Sequence, residues 1–195
     1  MVEFDLDGLL VLSRVIDTPL GSFVGVAMSY CKDQGPVANL YELRGQSTCR
    51  ASADSVLRMH ISQDRRKSTD RKDPRIATGE ALLDRTQEQL REYFRGDRFE
   101  FDIPLALEGT DFQMKVWSSL SQIGYSQTKT YGQLAMEIGH PRSSRAVGGT
   151  LAKNRLWIVL PCHRVVGQSG NLVGYAGGVG MKQHLVELEK KHSIG

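Results

Sequence analysis

The sequence predicts a two-domain protein of the α/β class, α+β in arrangement: an N-terminal domain with a small β-sheet and a helix, residues 1–108, and a C-terminal helical domain with a helix-turn-helix, residues 109–195. Three observations carry this. Residues 9–29, LLVLSRVIDTPLGSFVGVAMS, are two β-branched apolar runs around a turn bearing Pro and Gly, the pattern of a hairpin. The capping-box signature S/T-x-x-E/Q occurs at Thr110–Gln113 and again at Thr130–Gln133, each time ahead of apolar residues at helical spacing. Between these regions FEFDIPLAL, residues 99–107, alternates as a strand or extended linker and places a domain boundary at 99–109.

Taken in order, ANLYELRG follows the hairpin as a further strand-like stretch. Residues 45–76, with QDRRKSTDRKDPR, mix both charge signs without an apolar period, as a solvated surface loop does. From Ala77 to Gly96 the period turns helical, with Leu82, Leu83, Leu90, Tyr93 and Phe94 on one stripe and Gly96 as the C-cap. Phe112, Val116, Trp117 and Leu120 define the next helix, and Leu134, Ala135 and Ile138 the one after it. Gly139-His-Pro-Arg142 breaks the chain, and Ser143 or Ser144 can cap a third helix, SSRAVGGTLAKN. Helix, short turn, helix is the look of a helix-turn-helix. Gly148 and Gly149 sit inside that third helix, where each costs ~1 kcal/mol against alanine. A packed neighbour or a nucleic-acid backbone must therefore approach closely there. RLWIVL, residues 155–160, reads as a buried strand that Pro161 ends. QSGNLVGYAGGVG holds five glycines in thirteen residues and reads as a loop with unusual backbone angles. In the last helix, VGMKQHLVELEKK, Met181, Leu185 and Leu188 share a face that Glu189 flanks.

The chain has 195 residues, 40% hydrophobic and 24% charged, enough apolar material for a core. No stretch approaches the ~18–20 apolar residues of a membrane span, and the start, MVEFDLDGLL, is acidic where a signal peptide is basic. An intracellular protein is expected, in the nucleus if eukaryotic and the cytoplasm if bacterial. Three irregularly spaced cysteines argue against a disulfide framework. A net charge of +3 is compatible with a polyanionic partner without demanding one.

One of the three cysteines, Cys162, stands between Pro161 and His163 at the end of the apolar run. A nucleophilic cysteine must become a thiolate, and a neighbouring base supplies what its free pKa does not. His163 is the candidate base, and Glu189 the candidate carboxylate that holds its tautomer. Adjacent residues of a strand point to opposite faces, so contact between them needs a turn after Pro161 or a bridging water. Other readings of the dipeptide are a buried, inert cysteine with a satisfied histidine, or a pair of metal ligands lacking a second pair at the usual spacing.

Pro161-Cys-His-Arg-Val165 resembles the PCHRV signature of the O6-alkylguanine-DNA alkyltransferases. TYGQLA, RAVGG, Lys153-Asn154 and GYAGG follow that family's order, from about Thr110 to Glu189. The resemblance implies a ribonuclease H-like N-terminal domain and a winged-helix-like C-terminal one. It implies irreversible, single-turnover transfer of an alkyl group from guanine O6 in DNA to Cys162, and possible action on O4-alkylthymine. His163 would deprotonate Cys162 through a water, and Glu189 would hold His163. Tyr131 would donate a proton towards N3 of guanine and help rotate the base. Arg145 would fill the stack after extrusion. Ser144, Gly148 and Gly149 would lie on double-stranded DNA in the minor groove. Asn154 would bond across the helix-turn-helix to the active-site loop. Backbone groups of Cys162, Val165 and Ala176 would read the base, and Tyr175 and Gly177 would belong to the pocket wall. A monomer needing no metal or organic cofactor is implied.

The chain departs from its relatives at Trp157, expected to alter the pocket mouth, and at Ala176. Some relatives carry zinc in the N-terminal domain. Cys31, Cys49 and His60 match no zinc spacing, and no metal is expected. Two other functions stay open: a non-catalytic binder of alkylated DNA, and a Cys-His hydrolase, which would need an oxyanion hole and turnover.

Overall fold

The computed structural model describes residues 2–6, 9–32, 35–45 and 73–193, with side chains described except at 2–6, 9 and 31. Cys49, His60 and most of the charged stretch from 45 to 76 lie outside these residues. The chain forms two compact units, Met1–Phe94 with Phe101–Ala106, and Arg95–Glu100 with Leu107–Gly195.

In the first unit, four strands form an antiparallel sheet in the order β1 (Val2–Leu6), β2 (Leu9–Thr18), β3 (Gly21–Lys32) and β4 (Gly35–Gly45). The expected hairpin is β2–β3, with Thr18 paired to Gly21 across a two-residue turn. Gly21 has φ +103, which a side chain would strain. The sequence reading missed the short strand β1, although Asp7-Gly8 between it and β2 is a strong two-residue hairpin signal. Along β2, alternation buries Leu10, Leu12 and Ile16.

Helix α1 (Pro74–Arg95) buries Ile76, Gly79, Leu82, Leu83, Thr86, Gln89, Leu90 and Tyr93. It meets the sheet at glycines from both sides. A Cβ on Gly79 would stand 2.4 Å from Leu12 Cδ1, and one on Gly25 would stand 3.2 Å from Leu83 Cδ2. The helix starts three residues ahead of the expected Ala77. Asp73 Oδ1 accepts from the Arg75 amide at 2.9 Å, and Pro74, with no amide to satisfy, takes the first helical position. Phe94 is half-buried, off the stripe assigned to it. Residues 99–107 form no strand. Their pairing is a single bridge between Leu40 and Leu105, closed by Leu40 N–H to Pro104 O at 2.8 Å and Ala106 N–H to Leu40 O at 3.0 Å.

The second unit contains α2 (Asp111–Ser121), β5 (Lys129–Thr130), α3 (Tyr131–Glu137), α4 (Ser144–Leu151), a 3-10 turn (Cys162–Arg164), β6 (Val165–Val166) and α5 (Val179–His192). Both capping boxes form. Thr110 N–H donates to Gln113 Oε1 at 2.9 Å, and Thr130 N–H to Gln133 Oε1 at 2.7 Å, with the reciprocal bonds present. Ser143 is the N-cap residue of α4, but its hydroxyl donates to His140 O at 2.6 Å and caps nothing. Strands β5 and β6 pair in parallel, Lys129 to Val165 and Thr130 to Val166. This short ladder ties the start of α3 to the segment just after Cys162.

No strand forms over residues 155–160, where one was expected, and 157–159 make a turn. Leu156, Trp157, Ile158 and Leu160 are all buried, so no face alternates. Leu160 N–H closes on Leu156 O at 2.8 Å, and Ile158 takes φ +70, rare for a β-branched residue. Apolar runs of this length do not distinguish a buried strand from a buried turn. Among the described residues, no helix is long and apolar enough to cross a membrane.

Leu83, fully buried where α1 meets the sheet, sets a test of this packing. Leu83→Ala is expected to cost ~2–5 kcal/mol in urea denaturation, with the far-UV spectrum of the folded state unchanged.

Candidate active site

Cys162 opens the 3-10 turn and is 5% exposed, at the base of a cavity of about 470 Å³. Tyr131 of α3 and Gly148, Leu151 and Ala152 of the α4 region line one side. Gly174, Tyr175 and Ala176 line the other. The turn separates the roles of neighbouring side chains. While Cys162 lines the cavity, His163 is fully buried and its Nε2 lies 2.8 Å from Glu189 Oε1.

Glu189 is held from several directions. Arg164 Nη2 donates to Oε1 at 2.9 Å and Arg164 Nε to Oε2 at 3.0 Å, while the Ser126 amide donates to Oε2 at 3.0 Å. Burial pushes this carboxyl up, but the bonds and charges of His163 and Arg164 outweigh it and bring the pKa to about 2. An ionised carboxylate only accepts, so His163 Nε2 carries the proton. Burial depresses the His163 pKa, against the pull of Glu189, so the ring is neutral near pH 7. Its other nitrogen, Nδ1, is buried and has no hydrogen-bond partner among the described residues. A neutral imidazole with that nitrogen unprotonated is a base.

Asn154, 1% exposed, joins α4 to the thiol. Its Nδ2 donates to Cys162 Sγ at 3.0 Å and to Leu160 O at 2.9 Å, and its Oδ1 accepts from Leu156 N–H at 2.9 Å. A donor aimed at sulfur stabilises negative charge developing there. Tyr131 Oη donates to Val173 O at 3.0 Å, so the cavity-lining phenol bridges α3 to the opposite wall. Burial, then the charge of Cys162, raises the pKa of Tyr131 and holds it protonated.

The remaining sequence-predicted residues are spread over two layers. Trp157 does not stand at the cavity mouth. It is 1% exposed and packs behind Tyr175, ring centroids 5.7 Å apart, with its Nε1 donating to Asn154 O at 3.1 Å. Val165 is buried, and Gly177 packs where a Cβ would meet the Trp157 ring at 2.8 Å. Ser144 begins α4 half-buried, and Arg145 and Gly149 are exposed on it. A Cβ on Gly148 would touch Tyr131 only at 3.7 Å, and one on Gly149 would meet nothing within 4 Å. No packed protein neighbour therefore accounts for these two glycines among the described residues.

The model of the "6-O-methylguanine DNA methyltransferase, DNA binding domain" matches residues 111–191. The solved O6-methylguanine methyltransferase of Mycobacterium tuberculosis superposes with a TM-score of 0.68 at 36% identity, covering 93% of this chain and 94% of that one. The chain belongs to this methyltransferase family. A second M. tuberculosis structure of the family, in complex with DNA, gives a TM-score of 0.69 at 34% identity, over 92% of this chain and 93% of that one. Among curated relatives, the methylated-DNA–protein-cysteine methyltransferase of Mycolicibacterium paratuberculosis is 51% identical over 106 residues, 54% of this chain. That match spans 64% of the relative's length.

Two residues of this family member carry weight that the sequence reading did not assign. Arg164 was quoted within PCHRV without a role. Lys182 was given no role, yet it is fully buried and its Nζ donates to Val165 O at 2.6 Å and Val173 O at 2.8 Å. Burial lowers its pKa, partly offset by the charge of Cys162. The signal lay in the spacing, because residues 182, 185, 186 and 189 are the buried stripe of α5. Met181 and Leu188, which the sequence reading placed on that stripe, are only half-buried.

Removing the carboxylate strands Arg164 in the interior. Glu189→Gln is expected to cost ~3–5 kcal/mol in urea denaturation at pH 7. Because Glu189 sits at about 2 when folded against an ordinary value of 4.5, its contribution is complete above about 4.5 and lost as pH falls towards 2. The variant should lack that loss, measured as unfolding free energy against pH.

Proposed function

We propose that this protein repairs alkylated DNA by direct reversal, moving the alkyl group from O6 of guanine to Cys162 irreversibly and once per molecule. The observation that carries this reading is a thiol at the base of an open cavity, with a hydrogen-bond donor on its sulfur and a neutral histidine paired to an ionised carboxylate behind it. Sγ attacks the alkyl carbon; the S–C bond forms as the C–O6 bond breaks. The thiol proton passes to His163 Nδ1 through a bridging water. Guanine leaves as an anion, a poor leaving group until protonated, and Tyr131 Oη supplies a proton towards N3. Lys182 anchors the carbonyls of Val165 and Val173, and so keeps the glycine-rich wall in place beside Tyr131.

The substrate is double-stranded DNA bound through its minor groove, with the guanine rotated into the cavity. Exposed Arg145, Ala146, Gly149 and Ala152 give α4 a face of small residues around one cation. That face suits close, sequence-indifferent approach to a backbone. Arg145 fills the space left by the rotated nucleotide, whose extrusion costs a few kcal/mol. The protein works as a monomer. The thiol is the acceptor and the reaction calls on no metal or organic cofactor. Tyr175 walls the cavity, Trp157 backs Tyr175, and backbone groups of Val165 and Ala176 read the base edge.

Incubation with duplex DNA carrying O6-methylguanine should add one methyl group per protein, found on the Cys162 peptide by mass spectrometry, and Cys162→Ala should add none. Binding without transfer would favour a lesion-flagging protein, and repeated product release a hydrolase. Burial of His163 moves its proton uptake below the ordinary imidazole range. The single-turnover rate is therefore expected to stay level from pH 8 down past 6.5 and to fall only at lower pH, as stopped-time assays on methylated duplex will read.

A further inference from the structure

The backbone at Ser126 is left-handed, with φ +61, in a residue that gains nothing from the conformation by itself. The turn that contains it, residues 123–126, offers two main-chain groups to one buried ion pair. Ile123 O accepts from Arg164 Nη1 at 2.5 Å, and Ser126 N–H donates to Glu189 Oε2 at 3.0 Å. A carbonyl takes the cation and an amide takes the anion. Between them the Tyr125 ring lies under the Arg164 guanidinium at 5.7 Å and is met by the edge of Phe99 at 4.7 Å. The Ser126 hydroxyl reaches the end of α5 at Ser193 Oγ, 3.0 Å away. Thus the turn is fixed on three sides, and the amide direction follows from φ at residue 126.

We propose that Ser126 is a positioning residue of the acceptor centre: its left-handed backbone aims the amide that holds Oε2 of Glu189, which leaves Oε1 turned to His163. This rests on the transfer reaction assigned to Cys162. The division of donors supports it. Oε1 serves His163 and Arg164, while Oε2 serves Arg164 and Ser126. Without the amide, Oε2 loses one of its donors, and more of the carboxylate charge falls on His163. Among the described residues, the titratable and charged groups that face Glu189 include His163 and Arg164 from the 3-10 turn and Tyr125 from the 123–126 turn. Lys182, on the same helix as Glu189, bears on His163.

An ester in place of the Tyr125–Ser126 amide, installed by semisynthesis in the full chain, removes that one N–H and keeps every side chain. The single-turnover rate on methylated duplex should drop about tenfold, the size of one hydrogen bond to a charged group. The acid limb of the rate should move to higher pH, because a carboxylate with fewer donors raises the proton affinity of His163. The fraction of molecules that become methylated should not change. Ser126→Gly, which keeps the amide and accepts positive φ, should transfer faster than Ser126→Ile, which resists it. An unchanged rate and acid limb in the ester protein overturns the proposal. So does a loss of reactive fraction at constant rate, which would mark a merely structural role. If the unmodified protein leaves methylated duplex untouched, the transfer reading has failed first and takes this inference with it; that result is visible before any change at residue 126 is made.

Discussion

One buried carboxylate organises the second unit. Glu189 draws together a histidine and an arginine from the 3-10 turn and a backbone amide from the turn at 123–126. An anion at 1% exposure survives only if it is this fully bonded. The same bonds set its charge state, and its charge state sets the tautomer of His163. Packing, ionisation and the availability of a base at Nδ1 are therefore one problem with one solution. Had the carboxyl been protonated, its O–H could donate to Nε2 and the ring proton would then sit on Nδ1, where no base would remain.

The thiol is governed by a second set of contacts on its other side. Asn154 spends one side chain on a sulfur, a carbonyl and an amide, which fixes the turn from 156 to 160 against the end of α4. The parallel pair β5–β6 fixes Tyr131 relative to the chain after Cys162 in the same way. Lys182 holds the carbonyl of Val173, which also accepts from Tyr131. A cation that would cost free energy in an apolar interior is held there by carbonyl dipoles. The cavity walls are thus tied by polar groups, although the surface they present to a ligand is mostly hydrocarbon and glycine.

Local chemistry made much of the protein legible from its sequence. The β2–β3 hairpin, both capping boxes, the glycine-bearing loop before α5 and the helix-turn-helix depend on interactions between residues a few positions apart, and the residue types announce them. Asp73-Pro74 announced the start of α1 as well, but a highly charged neighbourhood hid it. Cys162, His163 and Glu189 were also in view, because a thiol beside an imidazole and a carboxylate flanking an apolar helix face are chemical signals in their own right.

Tertiary structure decided the rest. The 155–160 segment turned instead of extending because three consecutive side chains, Leu156, Trp157 and Ile158, are buried together, and an apolar run carries no mark of how many sides will be covered. The spacing along α5 places Lys182 on the buried stripe, but the three carbonyls that meet its ammonium group there come together only in the folded chain. Trp157 went behind Tyr175 instead of to the cavity mouth because Gly177 leaves room for the indole. Ser126 acquired its left-handed backbone from a partner 63 residues away. The sequence by itself determined which side chains could do the chemistry and where short-range bonds would start and stop the helices. Which buried polar groups meet, and so which proton sits on which atom, was settled only when distant segments closed on each other and excluded water.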